Sequence, residues 1–101
     1  MPSHVSTPAK WDIIDILEHL REKASAKVAL QFDHDLRIAL IALHANPKLG
    51  HRRRDLTARD FLFYGVYPYL IVYEPIKNGV LVHAVLHGAR DVESILNQRV
   101  F

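Results

Sequence analysis

The apolar residues of this chain change their spacing once, near the middle, and that change limits what the chain can fold into. Up to residue 45 they recur every three or four positions: Trp11, Ile14, Leu17 and Leu20, then Ala29, Phe32, Leu36, Ala39, Leu40 and Leu43. That is the period of a helix with one buried face, and Ile13 and Ile16 widen the first stripe. Beyond residue 60 they come in short runs rich in aromatic and β-branched side chains: Phe61–Tyr64, Tyr69–Tyr73 and Val80–Leu86. Such runs read as strands.

Punctuation residues set the boundaries. Thr7 is placed to cap the first helix, of about 15 residues, with Pro8 at the first helical position. Asp12 and Asp15 lie in its early turns, where acidic groups suit the helix dipole. Ser25 caps a second helix that should end near Ala45, because Asn46-Pro47 disfavours helical geometry. The short link between the two predicts an antiparallel helical hairpin. Residues 46–57 form a polar, basic loop bent at Gly50. Gly65-Val66-Tyr67-Pro68 separates the first two long strands, with Pro68 starting the second or marking a bulge. Asn78-Gly79 is a hairpin turn signal, and Asp91 can cap a closing helix from Val92 to about Gln98. Residues 3–6 are ambiguous, an edge strand being one outcome. The expected order is β-α-α-β-β-β-α in one α+β domain, residues 1–101. A helical hairpin packs on one face of a mostly antiparallel, twisted sheet, and the open side gathers cations.

Half of the 101 residues are apolar, enough for a compact core, and no cysteine is present. Disulfides and thiolate metal sites are thereby excluded, in keeping with a reducing cytosol. Met1–Val5 lacks the charged start and apolar core of a secretory signal, and no run approaches the ~18 apolar residues of a membrane span. A soluble, cytoplasmic protein is expected. The net charge is only +2, yet five basic groups fall within Lys48–Arg54 when His51 is counted. Local potential of that kind attracts an acidic partner.

Two regions carry candidate chemistry. Lys48, Arg52, Arg53 and Arg54 can grip carboxylates or a nucleic-acid backbone; the plainer reading is a solvated loop. The second region is Leu81–Asp91, an apolar strand running into a polar knot, where His87 and Arg90 flank Gly88-Ala89. His87 can carry a proton, its free-solution pKa being near 6.5. Arg90, Arg59 and a loop arginine can brace a phosphate during transfer to a ribose 2′-hydroxyl. The plainer reading gives His87 a neighbouring backbone partner and pairs Arg90 with Asp60 or Glu93. Arg59, at a strand start, has a structural reading as well. The seven histidines form no helical pair or motif that would hold a metal, and no cofactor is expected. Tyr64, Tyr67, Tyr69 and Tyr73 read as core and sheet residues before base-stacking platforms.

Four segments together resemble the ParE/RelE superfamily of bacterial toxins. They are Thr7-Pro8-Ala9-Lys10-Trp11-Asp12-Ile13, Asn46-Pro47-Lys48-Leu49-Gly50-His51-Arg52, Arg59 with Tyr69–Tyr73, and Val85-Leu86-His87-Gly88-Ala89-Arg90-Asp91. The resemblance implies a toxin held silent in a hetero-oligomer by a cognate antitoxin, whose extended or helical tail covers the basic surface. It also implies one of two targets. ParE-like members block DNA gyrase without cutting nucleic acid, whereas RelE-like members cut messenger RNA on the ribosome. The cutting members carry several loop lysines and a tyrosine or histidine near the C-terminus. Here Lys48 stands alone, and no tyrosine or histidine follows His87. The ParE-like branch is therefore favoured. An endoribonuclease using His87, Arg90 and Arg59 is the alternative, and a degenerate, non-toxic member is the third.

Overall fold

The computed structural model describes residues 3–101. Met1 and Pro2, part of the stretch read for a secretory signal, lie outside it. The elements run β1 (Ser3–Val5), α1 (Thr7–Lys23), α2 (Ala26–Ala45), β2 (Leu62–Val66), β3 (Tyr69–Ile76), β4 (Gly79–His87) and α3 (Val92–Gln98). Four strands form one sheet in the order β1-β4-β3-β2. β1 is parallel to β4, and the other pairings are antiparallel.

The first helix starts from Ser6, not Thr7. The Ser6 N–H is bonded to the Val82 carbonyl at 3.0 Å, which keeps Ser6 extended as a continuation of β1. Its hydroxyl then accepts from the Ala9 N–H at 3.2 Å, and Thr7 becomes the first helical residue. Sheet pairing thus moved the cap by one position. Ser25 and Asp91 cap α2 and α3 as expected, accepting from Val28 and Ser94. The buried stripe of α1 is also rotated from the expected one. Ala9, Ile13, Ile16, Leu17 and Leu20 pack inward, while Trp11 and Ile14 are exposed. A small side chain at Ala9 brings the helix down against the sheet and turns Trp11 outward.

The strands differ from expectation at their ends. Phe61 precedes β2, and Gly65 and Val66 belong to that strand rather than to the turn. The turn is only Tyr67-Pro68, joined by a cis peptide, with Val66 paired to Tyr69. Pro68 neither starts β3 nor marks the bulge. The irregularity lies at Val72/Tyr73, which pair with Ala84 and Val82 and leave His83 without an opposite number. In the β3–β4 turn Asn78 takes the left-handed conformation at φ 65°, and Gly79 is already in the strand, paired with Ile76.

Both faces of the sheet are covered, not one. Tyr69, Ile71, Tyr73, Val80, Val82 and Val85 meet Phe32, Leu36, Ala39 and Leu43 of α2 and Ala9 of α1. On the other face Phe61, Phe63, Val72, Ala84 and Leu86 meet Val92 and Leu96 of α3. Each large apolar side chain so buried contributes about 1.5–3 kcal/mol. Strand side chains alternate between the two faces and both layers are apolar, so among the described residues the open cationic face expected from the sequence is absent. No helix of the described residues is long and apolar enough to cross a membrane.

Candidate functional site

The basic loop is clamped to the sheet by one phenol. Tyr73 donates to the Pro47 carbonyl and accepts from the Gly50 N–H, both at 2.8 Å. His51 then bridges the outer edge of β2, bonding Phe63 in both directions at 2.9 and 2.7 Å. A Cβ on Gly50 would lie 2.7 Å from the Phe63 carbonyl oxygen and 2.8 Å from the Tyr73 hydroxyl. Glycine is required by this close approach, not by the backbone conformation, which is not left-handed. Burial pushes the Tyr73 phenol above its ordinary pKa, so it stays protonated and able to donate.

The three consecutive arginines are not free cations. Arg52 and Arg54 both reach Asp60 Oδ1, at 2.6 and 3.3 Å, and Arg54 also donates to the Ala58 carbonyl. Arg53 makes a two-pronged pair with Asp55 at 3.0 and 2.8 Å. That hydrogen bond holds the Asp55 carboxyl below, and the Arg53 guanidinium above, its ordinary range. All these groups remain largely exposed, so solvent screening leaves the pairs little to add to stability. Lys48 is exposed on the same loop. Three guanidiniums on two carboxylates still leave the surface positive.

At the end of β4, His87 Nδ1 accepts from the Ala89 N–H at 3.0 Å, and its ring meets Tyr69 edge-on at 5.3 Å. The neutral ring must therefore carry its proton on Nε2. The backbone partner foreseen for His87 is real. The acid partners foreseen for Arg90 are not: Asp60 is taken by Arg52 and Arg54, and Arg90 is exposed without an ion pair among the described residues. A cleft of about 370 Å³ opens here, walled by Asp15, Ile16 and His19 of α1, floored by Tyr69 and Val85, and rimmed by His87 and Arg90. A second cleft, of about 520 Å³, joins Arg53 to His87 past Gly88 and the Tyr67 ring, which is 98 % exposed. Tyr67 is thus a surface residue, whereas Tyr69 and Tyr73 are core.

Arg59 lies elsewhere. Its guanidinium sits over the rings of Phe101 and Phe61, at 5.1 and 5.8 Å, beside a cleft of about 350 Å³ that includes Glu74 and His83. The candidate residues therefore divide. Arg53, His87 and Arg90 line adjoining clefts at the strand end; Arg52 and Arg54 converge on Asp60, next to Arg59. Sequence reading passed over the pair in this last cleft. His83, only 8 % exposed, stacks on Phe61 and holds Glu74 Oε1 at 2.7 Å through Nε2. A histidine inside an otherwise apolar strand was the available signal. Asp12 was also passed over as more than a dipole group: it accepts from Arg99 and from the Val85 N–H. Among the described residues no group of three or more metal-ligating side chains comes together.

Residues 4–92, from β1 through the start of α3, match the ParE toxin family of type II toxin–antitoxin systems, parDE. The chain belongs to that family. A solved structure from the chromosomal ParDE toxin–antitoxin system of P. aeruginosa shares its fold, with a TM-score of 0.69 at 13% identity over 86% of this chain and 95% of that one. No curated protein matches the sequence. In this ParE-family chain the loop glycine and the His-Gly-Ala-Arg ending have defined physical work. One lets the loop approach Tyr73, and the other presents, at the end of β4, a guanidinium with no ion pair among the described residues.

Proposed function

We propose that this ParE-family toxin acts in the cytoplasm by binding, not by cutting, that DNA gyrase is its target, and that a cognate antitoxin neutralises it in a hetero-oligomer. The observation that carries the reading is the distribution of its cations. Arg90, His87 and Arg53 line a surface of adjoining clefts, a shape suited to a protein partner with exposed carboxylates. Arg59, needed by the ribonuclease alternative, lines a different cleft from His87 and Arg90. His87 Nδ1 is already engaged by a backbone N–H.

The test is purified toxin in a DNA supercoiling assay with gyrase, alongside primer extension on messenger RNA from cells expressing the chain. Loss of supercoiling without new RNA ends supports the proposal; ends within translated codons and normal supercoiling overturn it. One observation favours a ribonuclease built on other residues. His83 oriented by Glu74, with Arg59 at the mouth of the same cleft, has the elements of a proton carrier beside a phosphate ligand. Under that reading His83→Gln abolishes the cuts and His87→Gln does not. Expression with neither growth arrest nor cuts would mark a degenerate member.

A further inference from the structure

The outward face of α2 carries a row of apolar side chains. Leu30, Ile38 and Ile41 are each more than half exposed, and they share the face with exposed His34 and Arg37. Each of the five lies two positions from a buried residue of the same helix, Phe32, Leu36, Ala39 or Leu43. Two positions turn a helix by about 200°, and the buried set meets the sheet, so the row points away from it. Trp11 and Ile14 of α1 are exposed as well. Such a concentration of apolar groups marks a contact surface. No residue of α2 lines the three clefts, so this face is separate from the cationic surface described above.

Leu30, His34, Arg37 and Ile41 follow one another at steps of four, three and four, the spacing of a seam between two packed helices. The seam reads alike from either end: apolar, basic, basic, apolar. A two-fold axis through its midpoint, between Asp35 and Leu36, lays Leu30 of one copy against Ile41 of the other, twice. Ile38, beside the seam, then packs on His34 of the second copy.

Charge fixes the sense of the pairing. Within one chain Arg37 Nε donates to Asp33 Oδ2 at 2.9 Å. Both Nη groups of Arg37 and Oδ1 of Asp33 are left without a bond among the described residues. In the antiparallel arrangement Asp33 of one copy stands level with Arg37 of the other, so these open atoms join the two pairs into a ring of four charges. Parallel pairing would set Arg37 against Arg37 and His34 against His34. Exposed ion pairs add little strength, but they discriminate between arrangements.

We infer that the outward face of α2 binds a second copy of this chain, with the two helices antiparallel about a two-fold axis. The seam is roughly 17 Å long, short for a stable interface of about 800 Å² per partner, so the dimer forms in roughly the micromolar range. Each copy keeps its clefts open.

The experiment is sedimentation of the full chain over roughly 1–500 μM. Monomer should give way to dimer, and Ile38→Asp should weaken association by roughly 10- to 100-fold with unchanged urea unfolding. A monomer throughout, or a dimer that Ile38→Asp leaves intact, overturns the interface. Asp33→Arg and Arg37→Asp should each weaken self-association, and an equimolar mixture of the two should restore it; no recovery on mixing overturns the cross-pairs. The chain has no cysteine, so Leu30→Cys mixed with Ile41→Cys should give a disulfide-linked dimer under mild oxidation. A cross-link in Leu30→Cys alone overturns the antiparallel sense. A monomeric chain whose Ile38→Asp variant loses its antitoxin assigns the face to that partner and overturns self-association.

Discussion

Asp12 and Arg99 are 87 positions apart, yet their side chains meet in a two-pronged ion pair at 2.6 and 2.8 Å. The pair is mostly shielded, with 12 % of the Asp12 side chain and 21 % of that of Arg99 exposed. Its hydrogen bond raises the Arg99 pKa against the opposing effect of burial. Through it the first helix, the bulged part of β4 and the segment after α3 are held at one point, because Asp12 also takes the Val85 N–H and Arg99 also reaches the His83 carbonyl.

Removing one partner leaves the other shielded and unpaired. Arg99→Ala should destabilise the fold by about 2–3 kcal/mol, somewhat less than for a fully buried pair. Asp12→Asn should cost less than Asp12→Ala, because the amide oxygen can still accept from Val85. Urea unfolding followed by circular dichroism checks the order; equal losses in the two Asp12 variants would show that the Val85 bond contributes nothing.

Tyr73→Phe tests the clamp on the basic loop. The change keeps the buried ring but leaves the Pro47 carbonyl and the Gly50 N–H without their partner, a cost of about 1–3 kcal/mol. Exchange at the Gly50 amide should accelerate beyond what the stability loss explains, since that bond is the local tether. Gly50→Ala should be worse, because its Cβ runs into the backbone of β2.

Alkaline pH should weaken the fold through the same residue. Burial raises the phenol pKa values of Tyr69 and Tyr73. Their contribution is complete below the unfolded value of about 10 and is lost as pH rises through the higher folded values. The native state then holds more protons than the unfolded one, so unfolding free energy falls with pH. Tyr73→Phe should be less stable at pH 8 but decline less steeply above pH 10. Parallel decline in both proteins would exclude Tyr73 as a source.

Asp60→Ala should separate stability from surface charge. Its pairs with Arg52 and Arg54 are exposed, so unfolding should move by less than about 1 kcal/mol. Two guanidiniums are released, however, and affinity for an acidic partner should rise at low salt with a steeper salt dependence. Calorimetric titration at two ionic strengths decides it; a large stability loss would instead make Asp60 a structural anchor.

What could be read along the chain was local in origin. The helices over Ala26–Ala45 and Val92–Gln98, their caps Ser25 and Asp91, the strand-rich second half and the loop after Asn46-Pro47 follow from neighbours within a few residues. Periodicity and capping act over that range. The same holds for His87, whose partner Ala89 is two residues away. Tertiary contact decided the rest. Ser6 displaced Thr7 as the cap because β4 holds its N–H, and Trp11 turned outward because Ala9 packs on the sheet. Arg90 has no ion pair among the described residues because Asp60 lies beside a different cleft, with Arg52 and Arg54. His83 became a bulged, buried partner of Glu74 by sheet register alone. Each of these depends on a contact made when separate parts of the fold come together, and no local pattern records it.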